Sequence, residues 1–224
     1  MTASYRAVVF DMDGVLVDSE PVFFEAVNEL LKPAGKRIDW EDYQHLLGST
    51  MSHTWHSVLE TVGLDANEAQ QYLDGYSDTL IELLRRPRSL LPGVEPLIAD
   101  LRRQRIPIAV ATASRLAWVE AVLGEGAGVP LETFDAVVSR EQVENGKPAP
   151  DLYLRAAELL STPPERCIAI EDTIPGIASA KAAGMYAIQV RASSTALPPI
   201  DAADLVLDSL HDFPFDLVTP PKSV

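Results

Sequence analysis

The sequence holds a single cysteine, Cys167, so it cannot close a disulfide within itself, and small extracellular scaffolds stapled by disulfides are excluded. Cys167 lies in the apolar run Cys167-Ile168-Ala169-Ile170, which predicts a buried, inert thiol and suits a reducing compartment. Positive charge is scarce: 18 Lys and Arg face 33 Asp and Glu, giving a formal net charge of −15. That deficit argues against binding to nucleic acid or an anionic membrane, and any phosphorylated ligand would need cations placed locally. Long apolar runs are also missing. No stretch reaches the roughly 18 apolar residues of a membrane span, and Met1-Thr2-Ala3-Ser4-Tyr5-Arg6 lacks the apolar region of a secretory signal, so a cytoplasmic location is expected. The four histidines and one cysteine show no ligand spacing, so zinc is not expected. Internal repeats and low-complexity segments are absent from the sequence.

What is present is ample for a packed core, with 47% hydrophobic residues over a length of 224. Short apolar runs alternate with helical patterns, the signature of a parallel sheet covered by helices. The strands expected are Tyr5–Phe10, Ile108–Thr112, Ala136–Ser139, Cys167–Ile170, Tyr186–Val190 and Leu205–Leu207. Between the first two lies a stretch too long for one crossover helix and helical in pattern throughout. Ser19 or Glu20 with Pro21 opens a helix with Phe23, Val27 and Leu30 on one face, and Asp39 opens a short one that stops at Gly48. Thr50 begins a third that ends at Gly63, and Asp65 with Glu68 forms a capping box for a fourth running toward Arg86. Residues 18–88 are therefore read as an inserted helical cap domain and 1–17 with 89–224 as an α/β core. Pro87, Pro92 and Gly93 make the return a hinge or linker.

The strand ends carry the chemistry. Asp11-Met12-Asp13-Gly14 follows Ala7-Val8-Val9-Phe10 and sets two carboxylates at the C-terminal end of a buried strand, where open α/β sheets bind ligands. Crowded anions there repel one another unless a cation or a proton offsets them, and Gly14 permits a tight turn behind the pair. Ala109-Val110-Ala111 leads into Thr112-Ala113-Ser114, whose hydroxyls and following N–H groups suit an anion at a helix start, although both also read as ordinary caps. Gly146-Lys147-Pro148-Ala149-Pro150 puts one lysine in a stiff loop ahead of the helix Asp151–Leu160, as a fixed charge for a phosphate. Glu171 and Asp172 end another buried strand, and Pro175 and Gly184 bracket the helix behind them. A helix cap would account for Asp172 but not for Glu171. A set of oxygen ligands with few nitrogens or sulfurs matches Mg²⁺.

At these motifs the chain resembles the haloacid dehalogenase superfamily, and within it the β-phosphoglucomutase-like phosphatases with a helical cap after the first motif. The matching residues are Asp11-Met12-Asp13-Gly14-Val15-Leu16-Val17-Asp18-Ser19-Glu20-Pro21, Thr112-Ala113-Ser114, Gly146-Lys147-Pro148 and Glu171-Asp172-Thr173-Ile174-Pro175-Gly176-Ile177 with Ala182-Ala183-Gly184-Met185. The resemblance implies a Rossmann-like parallel sheet core with helices on both faces and an inserted α-helical cap. It implies Asp11 as the nucleophile that becomes an aspartyl-phosphate and Asp13 as the general acid and base. Mg²⁺ would be held by Asp11, the Asp13 carbonyl and Asp172, with Glu171 joining or flanking the metal. Thr112, Ala113, Ser114 and Lys147 would bind the transferring phosphate, Thr112 and Lys147 catalytically.

The activity implied is hydrolysis of a small phosphorylated metabolite, a sugar phosphate or similar, by a monomer or weak dimer that engages neither nucleic acid nor membrane. An acid at Asp13 separates the chain from halide-releasing members, which lack one there, and from phosphonate-cleaving members, which carry a small residue. The mutase branch has an arginine after Gly-x-Ser in the cap and a histidine on the first cap helix; here Gly48-Ser49-Thr50 leads to Met51, and Phe23 stands in the other place. A phosphomutase is thus the alternative, and a non-catalytic metabolite-binding protein a further one. His53, Trp55 and His56 are either specificity residues or helix-surface residues, and Arg85, Arg86 and Arg88 either steer anions or form a solvated linker.

Overall fold

The computed structural model describes residues 5–47 and 51–218. The chain divides into two compact units, Met1–Asp18 with Pro87–Val224, and Ser19–Arg86. The first holds a six-stranded sheet formed by β1 (Ala7–Phe10), β2 (Ile108–Ala111), β3 (Ala136–Val138), β4 (Cys167–Glu171), β5 (Tyr186–Val190) and β6 (Leu205–Leu207). The order is β3-β2-β1-β4-β5-β6 and every pairing is parallel. This is the doubly wound order of the Rossmann fold, in which the winding reverses between β1 and β4 and opens a crevice at their C-terminal ends.

Strand periodicity explains how the layers pack. Ala7, Val9, Ala109, Ala111, Cys167, Ala169 and Ala187 point to one face and form a core with Leu152, Tyr153 and Ala156 of helix Asp151–Leu159 and Ile177 and Ala180 of helix Ile174–Ala182. Small side chains on that face let the helices approach closely. The alternate residues, Val8, Phe10, Ile108, Val110, Ile168 and Ile170, are larger and equally buried, so both faces of the central strands are covered. Two further core elements are the helix Val94–Arg103 and the helix Leu116–Val119, which continues in π geometry over Glu120–Gly126.

The edges of the expected strands move inward where pairing partners run out. Tyr5 makes only an isolated bridge to Val218, and Thr112 and Ser139 lie just past β2 and β3. Glu171 belongs to β4 because Glu171 pairs with Gln189 on β5.

Among the described residues, the α-helices Glu20–Leu31, Trp40–Gln44, Met51–Val62 and Ala69–Leu84 build the second unit. Asp39 caps the second of them by accepting from the Asp42 N–H. The first helix buries Ala26, Val27 and Leu31 rather than the expected stripe of Phe23, Val27 and Leu30, since Phe23 and Leu30 remain partly exposed. The Asp65 side chain accepts from Asn67 N–H and starts a short 3-10 turn, Ala66–Glu68, ahead of the fourth helix. The expected stop at Gly48 and start at Thr50 lie outside the described residues. Trp55 is fully buried, stacked on Tyr72 with centroids 5.0 Å apart and edge-on to Tyr76, so it is a core residue of its unit. His53 and His56 are exposed on the same helix. Arg86 pairs with Glu25 at 2.7 Å on the surface. No helix among the described residues is long and apolar enough to cross a membrane.

Cys167 is fully buried on β4, with its sulfur 3.5 Å from the Pro163 carbonyl, and burial, aided by Glu165, pushes its thiol up to about 12. The thiolate is the reactive form. The folded protein should therefore ignore a disulfide reagent such as DTNB at pH 8 and react fully once unfolded in guanidinium; rapid labelling of the native protein would contradict this placement.

Candidate active site

The site grows from the switch point of the sheet. The Asp11 N–H donates to the Ile170 carbonyl at 2.9 Å, extending the β1–β4 ladder one step so that Asp11 emerges level with Glu171. Thr112 N–H likewise donates to the Val138 carbonyl at 3.0 Å beyond β2. Behind Asp11 the chain folds over the Met12 carbonyl, which accepts from Val15, Leu16 and Val17. Gly14 sits at φ +78°, and a Cβ there would lie 2.0 Å from Asp172 Oδ2. Only glycine allows this turn to pass so close to the carboxylate.

Lys147 reaches into the acids. Its side chain is 8% exposed, and its Nζ lies 2.8 Å from Asp11 Oδ1 and 2.6 Å from Glu171 Oε1. The Lys147–Pro148 peptide bond is cis. Glu171 is fully buried and saturated. Lys147 and the Tyr153 hydroxyl, 3.1 Å away, donate to Oε1, while Asp172 N–H, Thr173 N–H and the Thr173 hydroxyl donate to Oε2 at 3.0–3.1 Å. Its carboxylate lies under the first turn of the following helix, where a Cβ on Gly176 would meet Glu171 Cδ at 1.9 Å; the exposed N–H groups and dipole of a helix start favour an anion there.

The cap of that helix is Thr173, whose hydroxyl accepts from Gly176 N–H, so the capping role considered for Asp172 belongs to its neighbour. Asp172 is thereby left over. Its Oδ1 is buried without a hydrogen-bond partner, and so is Asp11 Oδ1, which faces Lys147 at ion-pair distance but off the hydrogen-bonding direction.

Charge does not balance here. Asp11, Glu171 and Asp172 offer carboxylate oxygens within 4.8 Å of one another, against the single ammonium of Lys147. Burial pushes Asp11 up to about 7, against the pull of Lys147 and with the push of Glu171 and Asp13. Burial, with Glu171 and Asp11 adding to it, also holds Asp172 well above the usual carboxylate range. Lys147 moves the other way from what burial alone would do, because Asp11 and Glu171 hold it above the ordinary lysine value. An unpartnered Asp172 oxygen and an Asp11 oxygen met by Lys147, beside an excess of negative charge, form an oxygen donor set that fits a hard divalent cation.

Asp13 stands apart from this trio. Its Oδ2 accepts from the Ser114 hydroxyl at 2.7 Å. The Ser114 N–H is taken by Thr112 Oγ1 at 3.0 Å, and the helix beyond opens only at Leu116 with Arg115 as its N-cap, so the 112–114 loop is closed on itself rather than being the expected helix start. The residues singled out at the four strand ends are thus linked within the core unit, Lys147 to Asp11 and Glu171, Ser114 to Asp13 and Thr112, and the Asp172 carboxylate against Gly14. Tyr153 is the member that sequence reasoning missed: besides bonding Glu171, it places its ring 5.4 Å from Lys147 Nζ. The signal was a tyrosine on the otherwise apolar stripe of its helix, because a buried hydroxyl needs a partner.

A Rossmann-like sheet whose switch point gathers carboxylates, a buried lysine and hydroxyls defines a hydrolase built to handle phosphoryl groups. The chain belongs to the haloacid dehalogenase-like hydrolase family, whose model matches residues 5–184, and its relatives fall in the β-phosphoglucomutase-like subfamily. Beta-phosphoglucomutase of Bacillus subtilis is 31% identical over 219 residues, covering 95% of this chain and 93% of that one. Fructose-1-phosphate phosphatase YqaB of Escherichia coli is 35% identical over 195 residues, covering 85% of this chain and 99% of that one. The crystal structure of CbbY from Rhodobacter sphaeroides in complex with phosphate matches with a TM-score of 0.77 at 31% identity, covering 93% of this chain and 96% of that one. The chain spans only 18% of a longer relative, the chloroplastic protein SUPPRESSOR OF QUENCHING 1 of Arabidopsis thaliana, at 34% identity over 195 residues and 83% of this chain.

Proposed function

We propose that the chain is a Mg²⁺-dependent phosphatase that hydrolyses a small phosphorylated metabolite, a sugar phosphate or similar, through an aspartyl-phosphate on Asp11. The observation that carries this reading is the buried Asp11 carboxylate, held 2.8 Å from Lys147 and beside the unpartnered Oδ1 of Asp172, with Asp13 on the same loop. Relatives named as phosphatases, and a solved relative holding phosphate, support it. Asp11 and Asp172 would hold Mg²⁺, assisted by the Asp13 carbonyl. Glu171, its oxygens already occupied by five donors, flanks them and anchors Lys147.

When bound, the cation would offset charge as an anionic carboxylate approaches an anionic phosphoryl group. Lys147 supplies the fixed positive charge of the protein for the same purpose, and Thr112, Ala113 and Ser114 border the phosphate site. We assign residues 18–88 the role of a cap domain and 1–17 with 89–224 that of the catalytic core. The protein acts as a monomer or weak dimer in the cytoplasm, where its −15 charge keeps it from nucleic acid and membranes.

The deciding measurement is release of inorganic phosphate across a panel of phosphorylated sugars, nucleotides and cofactor precursors. Mg²⁺-dependent release from at least one sugar phosphate is expected. Faster interconversion of hexose 1- and 6-phosphates, primed by a bisphosphate, than release of phosphate would make the protein a mutase instead.

The acid cluster also predicts how the cation acts on stability. A carboxyl that titrates near 4 in the unfolded chain and about 7 in the metal-free fold keeps a proton in the folded state that the unfolded state has released. Stability of the metal-free protein should therefore fall as pH rises from about 4 to about 7. The ionised carboxylates of Asp11 and Asp172 would hold Mg²⁺ and so offset the loss, and its addition should raise Tm clearly at pH 8 and little at pH 5. An equal shift at both pH values, or none at pH 8, would count against a cation at Asp11 and Asp172.

A further inference from the structure

Lys147 sits on a flexible four-carbon stem, in a loop outside regular secondary structure, yet its ammonium must be held to within a fraction of an ångström. Part of that precision comes from Asp11 and Glu171 at its tip. The backbone beneath it is held by Arg140, on the 3-10 turn that leaves β3. The Arg140 guanidinium donates from Nη1 to the Val143 carbonyl at 2.9 Å and from Nη2 to the Glu144 carbonyl at 3.2 Å. Gly146 lies against the same group, with a Cβ there 3.2 Å from Arg140 Nε. The Arg140 N–H donates to the Ser114 carbonyl at 3.0 Å, so one residue grips both the 112–114 loop and the loop that carries Lys147. Asp151 completes the hold by accepting from the backbone and side-chain N–H groups of Asn145 at 3.0 and 3.1 Å.

We infer that Arg140 is a positioning residue that sets Lys147 against the reacting phosphate by clamping the 143–146 backbone. A planar guanidinium meets two carbonyls at once with charge-assisted bonds in a fixed fork, a geometry that the compact ammonium of a lysine does not fix and a neutral side chain does not charge. Such a clamp acts on catalysis only through Lys147. The kinetic part of this inference rests on the phosphatase reading above.

Two measurements test it. In the first, lysines are acetylated with acetic anhydride and read by mass spectrometry, with the exposed Lys32 as internal reference. Lys147 should be protected in the wild type and labelled several-fold faster in Arg140→Ala at unchanged far-UV circular dichroism; equal protection in both would overturn the inference. In the second, Arg140→Ala should lower kcat/KM about tenfold and Arg140→Lys by less. Adding Arg140→Ala to Lys147→Ala should cost nothing more, because residues that act as a unit are non-additive. Multiplicative losses would make Arg140 a general scaffold residue and overturn the inference. Should Arg140→Ala fail to fold, Arg140→Lys carries both measurements. Labelling needs no turnover, so a wild type that releases no phosphate would refute the phosphatase reading and leave labelling to decide this one.

Discussion

Asp11→Asn should abolish turnover while leaving the protein folded. The amide keeps the shape of the side chain and leaves its backbone N–H bonded to Ile170, so β1 and β4 stay in register. What it loses is chemistry: the carboxylate oxygen proposed to attack phosphorus, with cleavage of the P–O ester bond, and one of the anions that would balance Mg²⁺. Loss of a covalent nucleophile costs on the order of 10⁴-fold or more in kcat. Stability should move the other way. Burial and the neighbouring acids already disfavour the ionised form of Asp11, so a neutral amide relieves repulsion, and the metal-free variant should melt no lower than the wild type at pH 8. Phosphate release measured with an alkyl phosphate, alongside thermal unfolding, separates the two effects. Substantial activity in folded Asp11→Asn would remove Asp11 from the mechanism.

Much of this arrangement was legible because it violates what a buried strand needs. Ala7–Phe10 and Cys167–Ile170 fold without help from acids, so carboxylates at their ends point outward from folding to chemistry. The six strands read clearly because each is a short apolar run bounded by a turn, and small residues on one face and larger ones on the other follow the strand period. Long-range partners were not legible. Nothing local to Tyr153 says that its hydroxyl meets Glu171 across the core, and nothing local to Arg140 says that it bonds the Val143 and Glu144 carbonyls. The cap of the helix behind β4 was open by one position: Asp172 and Thr173 are both good N-caps, and only the geometry shows that the threonine takes the role and leaves the Asp172 Oδ1 without a partner. In the helical unit, Trp55 lies between exposed His53 and His56, and the helical period alone does not say how deep its face is buried.

Asp13→Asn should divide substrates by leaving group. On the proposed mechanism, the ester oxygen would depart in the first half-reaction as Asp11 bonds to phosphorus, and Asp13 would deliver a proton to it. In the second, water would attack phosphorus of the aspartyl-phosphate while Asp13 takes its proton, releasing inorganic phosphate and restoring the Asp11 carboxylate. An alkoxide leaving group needs that proton, so alkyl phosphates should lose roughly 10²- to 10⁴-fold in the phosphorylation step. An aryl phosphate such as p-nitrophenyl phosphate leaves well without it and should lose much less. Its hydrolysis half remains impaired, because water still lacks a base. The variant should therefore release about one equivalent of p-nitrophenol in a burst and then stall with phosphate held on Asp11. The Ser114 hydroxyl, which donates to Asp13 at 2.7 Å, meets the amide oxygen of the substituted side chain equally well, so the loop keeps its place and the loss reports proton transfer. Equal losses for both classes, with no burst, would mean that Asp13 only holds the loop between Asp11 and Gly14.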